Sequence, residues 1–173
     1  VPTERKTKTY ERMITAPVSP LSILVGEIVG GAIFGAIIAA VPLIIGIVFY
    51  GTLIVNPIGL IGVLVLVSFA FSAMGIMFAA IPTDNPGDVM MLLTFIRLPL
   101  LFISGIFIPV SAMGVYGAIA LVSPLTYAKD MIQYVLTGTG YYGPFIDVIG
   151  MLIFTGIFLW IGVRLHERNR KSG

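Results

Sequence analysis

The sequence predicts an all-α integral membrane protein, a polytopic bundle of four transmembrane helices in a single domain over residues 1–173. Composition is the first observation: 58% of the residues are hydrophobic and 10% are charged, whereas a soluble domain carries about 25% charged residues. The charges crowd the two ends, and no formal charge lies between Glu27 and Asp84. Lipid offers the backbone no hydrogen-bond partners, so each span must be helical. This composition excludes a soluble enzyme, a nucleic-acid-binding domain and a disordered tail.

The chain opens with a short amphipathic segment within residues 1–20. Three apolar side chains recur there at helical spacing: Tyr10, Met13 and Ile14. Glu11 and Arg12 fall on other faces, and Pro17 ends the pattern before the first span. This spacing predicts a short helix lying at the cytoplasmic surface. The pattern alone leaves two interpretations open, a membrane-surface anchor and a contact with a cytoplasmic partner.

The uncharged stretch holds two crossings, because one crossing needs about 20 residues. A turn containing Gly51, Asn56 and Pro57 separates them. A polar loop at residues 82–88 then precedes the third span. The four predicted spans cover residues 21–49, 57–80, 89–107 and 145–163.

The distribution of basic residues predicts the topology. Four Lys or Arg residues precede the first span, and four more end or follow the last span within the basic tail at residues 164–173. The connection between the third and fourth spans contains only Lys129. By the positive-inside rule both ends are cytoplasmic, which requires an even number of spans.

Residues 109–144, which join the third and fourth spans, do not resemble an ordinary loop. Residues 114–122 are too apolar for open solvent and too short to span a bilayer. Ser123 and Pro124 form a typical helix start, and Gly138 is a plausible stop. We therefore expect a re-entrant helical hairpin, two short helices that dip back into the outer leaflet under the cover of protein or water.

Glu27 and Arg97 are ionisable residues that fall inside predicted spans. Glu27 lies near the cytoplasmic end of the first span, where an interfacial or interhelical anchor is the favoured interpretation. Arg97 lies about 13 Å along the third span, so its guanidinium must face a partner, a cavity or water. Pro99 leaves the Phe95 carbonyl without its helical donor. A translocation route lined by Arg97 and a structural pairing with Glu27 or a free carbonyl both remain open.

Two glycine patterns have simple structural interpretations. The first span contains small residues at four-residue spacing, which let helices approach closely: Gly26 with Gly30, and Gly31 with Gly35. Packing within the chain is favoured over a dimer face. Residues 138–143 match G-x-G-x-x-G, but a membrane span follows and no strand precedes, so we interpret them as an outer loop.

No residue pattern indicates catalysis, a cofactor or a metal. The chain has no cysteine, and its single histidine, His166, lies in the basic tail. Asp84 and Asp88 are four residues apart in a polar loop but lack further ligands. Any transport by this protein must therefore draw its energy from elsewhere.

Three segments resemble motifs of type-2 ABC exporter permeases. They are KTYERMITAPVSPLSILVGE at residues 8–27, LPLLFISGIFIP at residues 98–109 and SPLTYAKD at residues 123–130. They occur in the family's order and at its spacing, across almost the whole chain. Lys8, Glu27 and Arg97 depart from the residues common in the family.

The resemblance implies a subunit with six spans, of which this chain would hold the last four as a fragment. It implies that residues 8–16 form a coupling helix in a groove of a cytoplasmic ATPase subunit. The coupling residues would be Tyr10, Glu11, Arg12, Met13, Ile14 and Thr15. It further implies a homo- or heterodimer of permeases in the plasma membrane, without an ATPase site of their own.

The resemblance also implies where the substrate passes. The third span would line the path with Phe95, Arg97, Leu98, Pro99, Phe102 and Ile106. The following turn and the re-entrant helices would form an outer gate with Ser104, Gly105, Pro109, Pro124 and Tyr127. Export is the direction that the family implies, and an apolar path would suit an amphipathic or lipid-linked substrate. Two alternatives are an ion-coupled carrier that uses Glu27 and Arg97, and a non-transporting membrane scaffold or assembly protein.

Overall fold

The computed structural model describes residues 20–81 and 85–171. These residues form five α-helices and two 3-10 helices, and no strand occurs among them. The α-helices are α1 (Pro20–Tyr50), α2 (Pro57–Ala79), α3 (Pro86–Ile103), α4 (Pro124–Thr137) and α5 (Pro144–Lys171). The 3-10 helices, Val110–Ala112 and Gly114–Val122, lie between α3 and α4. The prediction of an all-α protein is confirmed.

Among residues 20–81 and 85–171, three helices are long and apolar enough to cross a membrane, judged by length and composition. They are Val25–Tyr50, Pro57–Ala79 and Pro144–Leu165, which makes this a multi-pass membrane protein. The remaining long helix, α3, has 18 residues and is about 27 Å long at the usual helical rise. This helix is not one of the three, so the third predicted span, at residues 89–107, stays a prediction.

Each α-helix begins at a proline, a residue whose fixed φ and missing N–H suit the first helical position. Asparagine side chains cap two of these starts. The side chain of Asn56 accepts a hydrogen bond from the Gly59 N–H at 2.8 Å, and that of Asn85 accepts one from the Gly87 N–H at 3.2 Å. The local sequence thus specifies the turns before α2 and α3.

Helix ends differ from the sequence-based boundaries more than helix starts do. The third span was predicted to reach residue 107, but α3 ends at Ile103 because Gly105, with φ of +82°, turns the chain. Helix α3 does continue through Pro99. The last helix was predicted to end at residue 163 and instead runs to Lys171, because no proline or glycine interrupts residues 164–171.

The segment between α3 and α4 is more irregular than two short α-helices. Its first part is a pair of 3-10 helices rather than an α-helix. Its second part, α4, starts after Ser123 and stops at Gly138, as the sequence predicts, and Gly138 adopts φ of +77°. Left-handed glycines of this kind commonly end helices.

Helix α1 packs on α2 through small residues. A Cβ atom built on Gly31 would collide with the hydroxyl of Ser72, and one built on Gly35 would lie 3.6 Å from the Ser68 Cβ. The Ser72 hydroxyl donates a hydrogen bond to the Ile28 carbonyl at 2.9 Å. The expected packing within the chain is confirmed for this pair of glycines, since close approach is what small residues permit.

We expect Gly31→Leu to destabilise the α1–α2 pair, whereas Gly30→Leu should not. A Cβ on Gly30 meets nothing within 4 Å, so the neighbouring variant is a control for the change in helix propensity. Overpacking should cost Gly31→Leu about 1–3 kcal/mol of unfolding free energy. Thermal unfolding of the two variants in the same detergent measures the difference. Equal midpoints would show that α1 does not pack on α2 through this face.

Helix α4 lies against both α2 and α5 and forms the buried core of the described chain. The buried members of this core are Ala70, Tyr127, Ala128, Met131 and Met151. Five partly buried residues pack around them: Val63, Leu66, Val67, Phe71 and Phe154. The core thus draws its members from α2, α4 and α5, which fixes α4 in place.

Contacts between the helices place their ends. The start of α1 lies beside the second half of α2, through the bond between Ile28 and Ser72. Late α5 lies there too, since a Cβ on Gly162 would be 3.4 Å from the Met77 Cα. At the opposite end, the N–H of Asn56 donates to the Val135 carbonyl at 3.0 Å and joins the α1–α2 connection to α4.

Candidate translocation groove and outer cap

A cavity of about 430 Å³ opens between α2, α3 and the start of α4. Its lining includes Phe71 and Phe78 from α2, Met90, Thr94, Arg97 and Leu100 from α3, and Pro124 and Leu125 from α4. Nearly all of these side chains are apolar. The Thr94 hydroxyl donates to the Met90 carbonyl at 2.8 Å within its own helix. The guanidinium of Arg97 is therefore the main polar group that the cavity offers.

Arg97 forms no hydrogen bond or ion pair with residues 20–81 or 85–171. Glu27 lies elsewhere, in a second groove between α1 and α2 with Gly31, Gly35 and Ser72. The pairing of Arg97 with Glu27, which the sequence left open, is not formed. The alternative, an arginine that faces a cavity, is what the structure places here.

The other predicted path residues lie on the outer surface of α3. Phe95, Leu98, Phe102 and Ile106 are 66%, 50%, 60% and 45% exposed, respectively, and none of them lines the cavity. Pro99 is exposed as well. Arg97 is the member of the predicted path set that the structure brings to the cavity. The apolar face of α3 points away from the described bundle.

Two of the predicted gate residues form the turn that ends α3. Ser104 is fully buried, and its hydroxyl donates to the Leu101 carbonyl at 2.7 Å. Gly105 follows with a left-handed φ, and a Cβ there would lie 2.6 Å from the Val110 Cγ2. Glycine is required for both reasons. Pro109 is exposed and precedes the first 3-10 helix.

The other two gate residues begin α4. Pro124 and Tyr127 are buried, and the preceding Ser123 donates its hydroxyl proton to the Leu100 carbonyl of α3 at 3.1 Å. The Tyr127 hydroxyl donates to the Leu121 carbonyl at 3.1 Å. Burial raises the pKa of Tyr127 above its ordinary value of 10.0, helped by the nearby carboxyl of Asp147. The phenol therefore keeps its proton and braces the 3-10 helix on α4.

Two buried carboxyl groups were not selected from the sequence. Asp130 in α4 is 2% exposed, and Asp147 in the first turn of α5 is 0% exposed. Both Asp130 oxygens accept hydrogen bonds from the main-chain N–H of Tyr141, at 2.8 and 2.9 Å. The available signal was an acidic residue inside each of two mostly apolar helical segments. An acidic residue in a first helical turn, such as Asp147, is also common at the surface, so this signal did not identify it as buried.

The glycine-rich stretch at residues 138–143 is the loop between α4 and α5. Gly138 and Gly143 have φ of +77° and +91°, and a Cβ on Gly140 would lie 3.1 Å from the Asp130 carboxylate. These glycines shape a tight loop over a buried acid. A helix precedes the loop, so it lacks the strand that a dinucleotide site requires.

The predicted coupling residues lie outside the described part of the chain. They are Tyr10, Glu11, Arg12, Met13, Ile14 and Thr15. Among residues 20–81 and 85–171, no group of three or more His, Cys, Asp or Glu side chains could hold a metal ion.

The fold and the cavity define a class of protein: a multi-pass helical membrane protein with a cavity beside α3, the α-helix that packs least against the others. Comparison with known families narrows this class. The sequence model of the ABC-2 type transporter family matches residues 2–137, and the chain belongs to that family. Such a domain is the membrane transport component, which normally pairs with an ATPase subunit and is not itself an ATPase. No curated protein and no solved structure matches the chain.

Proposed function

We propose that this chain is the membrane-spanning permease subunit of an ABC exporter in the plasma membrane. ATP hydrolysis on a cytoplasmic ATPase subunit drives the export. The observation that carries the proposal is the family match over residues 2–137, which includes the amphipathic segment at residues 8–16. Arg97 supports it, because this exposed side chain lines an apolar cavity without a partner among residues 20–81 and 85–171, and a charge within a membrane span needs a functional reason.

In this proposal α3 is the third of four spans, and both chain ends are cytoplasmic. Ile28 of α1 and Gly162 of α5 both lie beside the second half of α2, which supports four antiparallel crossings. Near the end of α5, Trp160 is 58% exposed and carries the Arg164 guanidinium 4.3 Å from its ring centroid. Tryptophan beside a basic residue is typical of a membrane–water interface, and basic residues favour the cytoplasmic side.

Helix α4 is the inner part of a re-entrant cap in this proposal. Its core partners on α2, from Val63 to Ala70, lie about 9–20 Å along the helix from Pro57. Helix α4 therefore reaches well below the outer end of α2. The 3-10 helices cover it, and the bond from Ser123 to Leu100 ties the cap to α3.

In the proposed mechanism, movement of the cytoplasmic ATPase subunits is transmitted to the cavity between α2, α3 and α4. The ATPase subunits close on ATP and press on residues 10–15, and α1 and α3 then tilt. The exposed apolar face of α3 lines a central path together with the same face of a second permease protomer. An amphipathic or lipid-linked molecule fits the groove, with any anionic group at Arg97 and its apolar part along Phe71 and Phe78.

Reconstituted vesicles test the proposal. We expect an ATPase subunit to co-purify with the chain, and flux to require ATP and to survive collapse of the ion gradients. An ion-coupled carrier predicts the reverse: ATP would be irrelevant, and Glu27→Gln or Arg97→Gln would abolish gradient-driven flux. A scaffold predicts no flux with or without ATP. Either outcome would overturn the exporter proposal.

A further inference from the structure

Two carboxyl groups from different helices meet beneath the outer loop at residues 138–143. Asp130 belongs to α4, and Asp147 belongs to the first turn of α5. The carboxyl group of Asp130 is close enough to Asp147 to act on it electrostatically. Both side chains are almost completely removed from solvent. Two like charges in such a place repel one another and have lost their hydration.

The surroundings treat the two acids differently. Asp130 accepts three hydrogen bonds from the loop, two from the Tyr141 N–H and one from the Tyr142 N–H at 2.8 Å. Such bonds stabilise a carboxylate in its charged form. Within the described part of the chain, neither oxygen of Asp147 has a hydrogen-bond partner.

No group around Asp147 can neutralise its charge. The titratable groups that bear on it are Asp130 and Tyr127 from α4 and Tyr142 from the loop. The Tyr127 hydroxyl already donates to the Leu121 carbonyl. Helix α2 packs against this region with apolar side chains and has no titratable residue. No basic group among the described residues acts on Asp147.

We propose that Asp130 and Asp147 form a proton-binding site, in which Asp147 is a neutral carboxylic acid that donates its proton to the Asp130 carboxylate. The proton comes from water on the outer side and adds to one carboxylate oxygen of Asp147. Two carboxylates cannot hydrogen-bond to each other, but an acid and a carboxylate can. One bound proton therefore satisfies Asp147 and removes the repulsion.

The site holds the outer loop. With the proton bound, Asp130 stays turned toward the Tyr141 and Tyr142 amides and keeps the loop folded against α4 and α5. Loss of the proton in alkaline solution places two negative charges face to face. Asp130 is then driven from the loop amides, and the loop opens. This inference does not rest on the transport proposal.

Infrared spectroscopy of the full chain in lipid nanodiscs tests the site directly. At neutral pH we expect a C=O stretching band of a protonated carboxylic acid, which Asp147→Asn removes. The exposed Asp88 gives the control: Asp88→Asn should leave the band unchanged. Asp130→Asn should shift the band, because the acceptor changes. Absence of the band at neutral pH, or its persistence in Asp147→Asn, overturns the proposal.

The same measurement tests the alternative that the two acids bind a cation other than a proton. If the band appears in choline chloride and disappears in sodium chloride, the acids hold sodium and the proton assignment is wrong. A readout at the loop completes the test. Hydrogen exchange of the Tyr141 and Tyr142 amides, relative to that of the Tyr134 amide in α4, should rise at alkaline pH in the unaltered chain. This relative exchange should stay constant in Asp147→Asn, because the side-chain amide of that variant donates a hydrogen bond at every pH. A rise in Asp147→Asn would contradict the proposed role of the two acids in holding the loop.

Discussion

The double variant Arg12→Glu with Met13→Asp is expected to lose ATP-driven transport while the chain remains in the membrane. In the proposed mechanism Tyr10, Met13 and Ile14 form the apolar seat of the coupling segment, and Arg12 supplies a polar contact to the ATPase. Removing one apolar and one arginine anchor from an interface typically costs about 2 kcal/mol or more for each. Reversed charge adds repulsion. Together these losses should weaken ATPase binding about a thousandfold.

Transport and ATP hydrolysis should be measured side by side in vesicles that contain both subunits. We expect flux to fall to background while the ATPase subunit, no longer held by the permease, hydrolyses ATP independently of substrate. Arg5→Glu with Thr3→Asp introduces the same acidic pair upstream of the segment and is the matched control. Unchanged flux in the Arg12 and Met13 variant, or equal losses in both variants, would contradict the coupling role.

Gly150→Leu is expected to detach α4 from the bundle. A Cβ on Gly150 would lie 2.5–2.7 Å from three atoms of the Tyr127 ring, and this ring is part of the buried core with Met131 and Met151. A rigid aromatic ring cannot yield as the end of a flexible chain would. The substitution should therefore cost about 3 kcal/mol of unfolding free energy, the upper part of the range for overpacked cores.

Gly156→Leu is the matched control, since it lies on the same helix and its Cβ would meet nothing within 4 Å. Thermal unfolding of both variants in detergent gives the difference in stability. Hydrogen exchange should show that protection is lost in α4 before it is lost in α2. If Gly150→Leu unfolds at the same midpoint as Gly156→Leu, α4 is not seated on α5 as described.

The spans and helix starts were predictable because they depend on local properties. The length of an uncharged stretch and a proline at a helix start can both be recognised from neighbouring residues in the sequence. Helix ends were less predictable. Residues 98–109 are apolar throughout apart from Ser104, so hydropathy gave no reason to stop α3 before residue 107. The left-handed φ of Gly105 ends α3 at Ile103, and the presence of a glycine does not by itself predict a positive φ.

Which side chains face the groove was the least predictable property. A soluble helix reveals its buried face through the alternation of polar and apolar residues. The spans here are apolar on all sides, so Phe95, Leu98 and Arg97 were assigned to one path although Arg97 lines the cavity and the others do not. The hydroxyl of Ser123 was expected to cap α4 but donates to Leu100 of another helix. Such contacts depend on tertiary packing.

The buried acid Asp147 illustrates the same limit. Its position in the first turn of an apolar helix suits a residue at the membrane surface equally well. In the fold it is fully buried, and Asp130 approaches it from another helix. The coupling segment, in contrast, came from sequence motifs and stays a prediction.

Two main-chain hydrogen bonds join the α1–α2 connection to α4. The N–H groups of Val55 and Asn56 donate to the carbonyls of Leu136 and Val135 at 3.4 and 3.0 Å. Because both donors and both acceptors belong to the main chain, most side-chain substitutions at these positions leave the two hydrogen bonds available. Alanine scanning would not detect these two hydrogen bonds, because alanine keeps the main-chain N–H. Val55→Pro removes one donor and would therefore reveal their contribution.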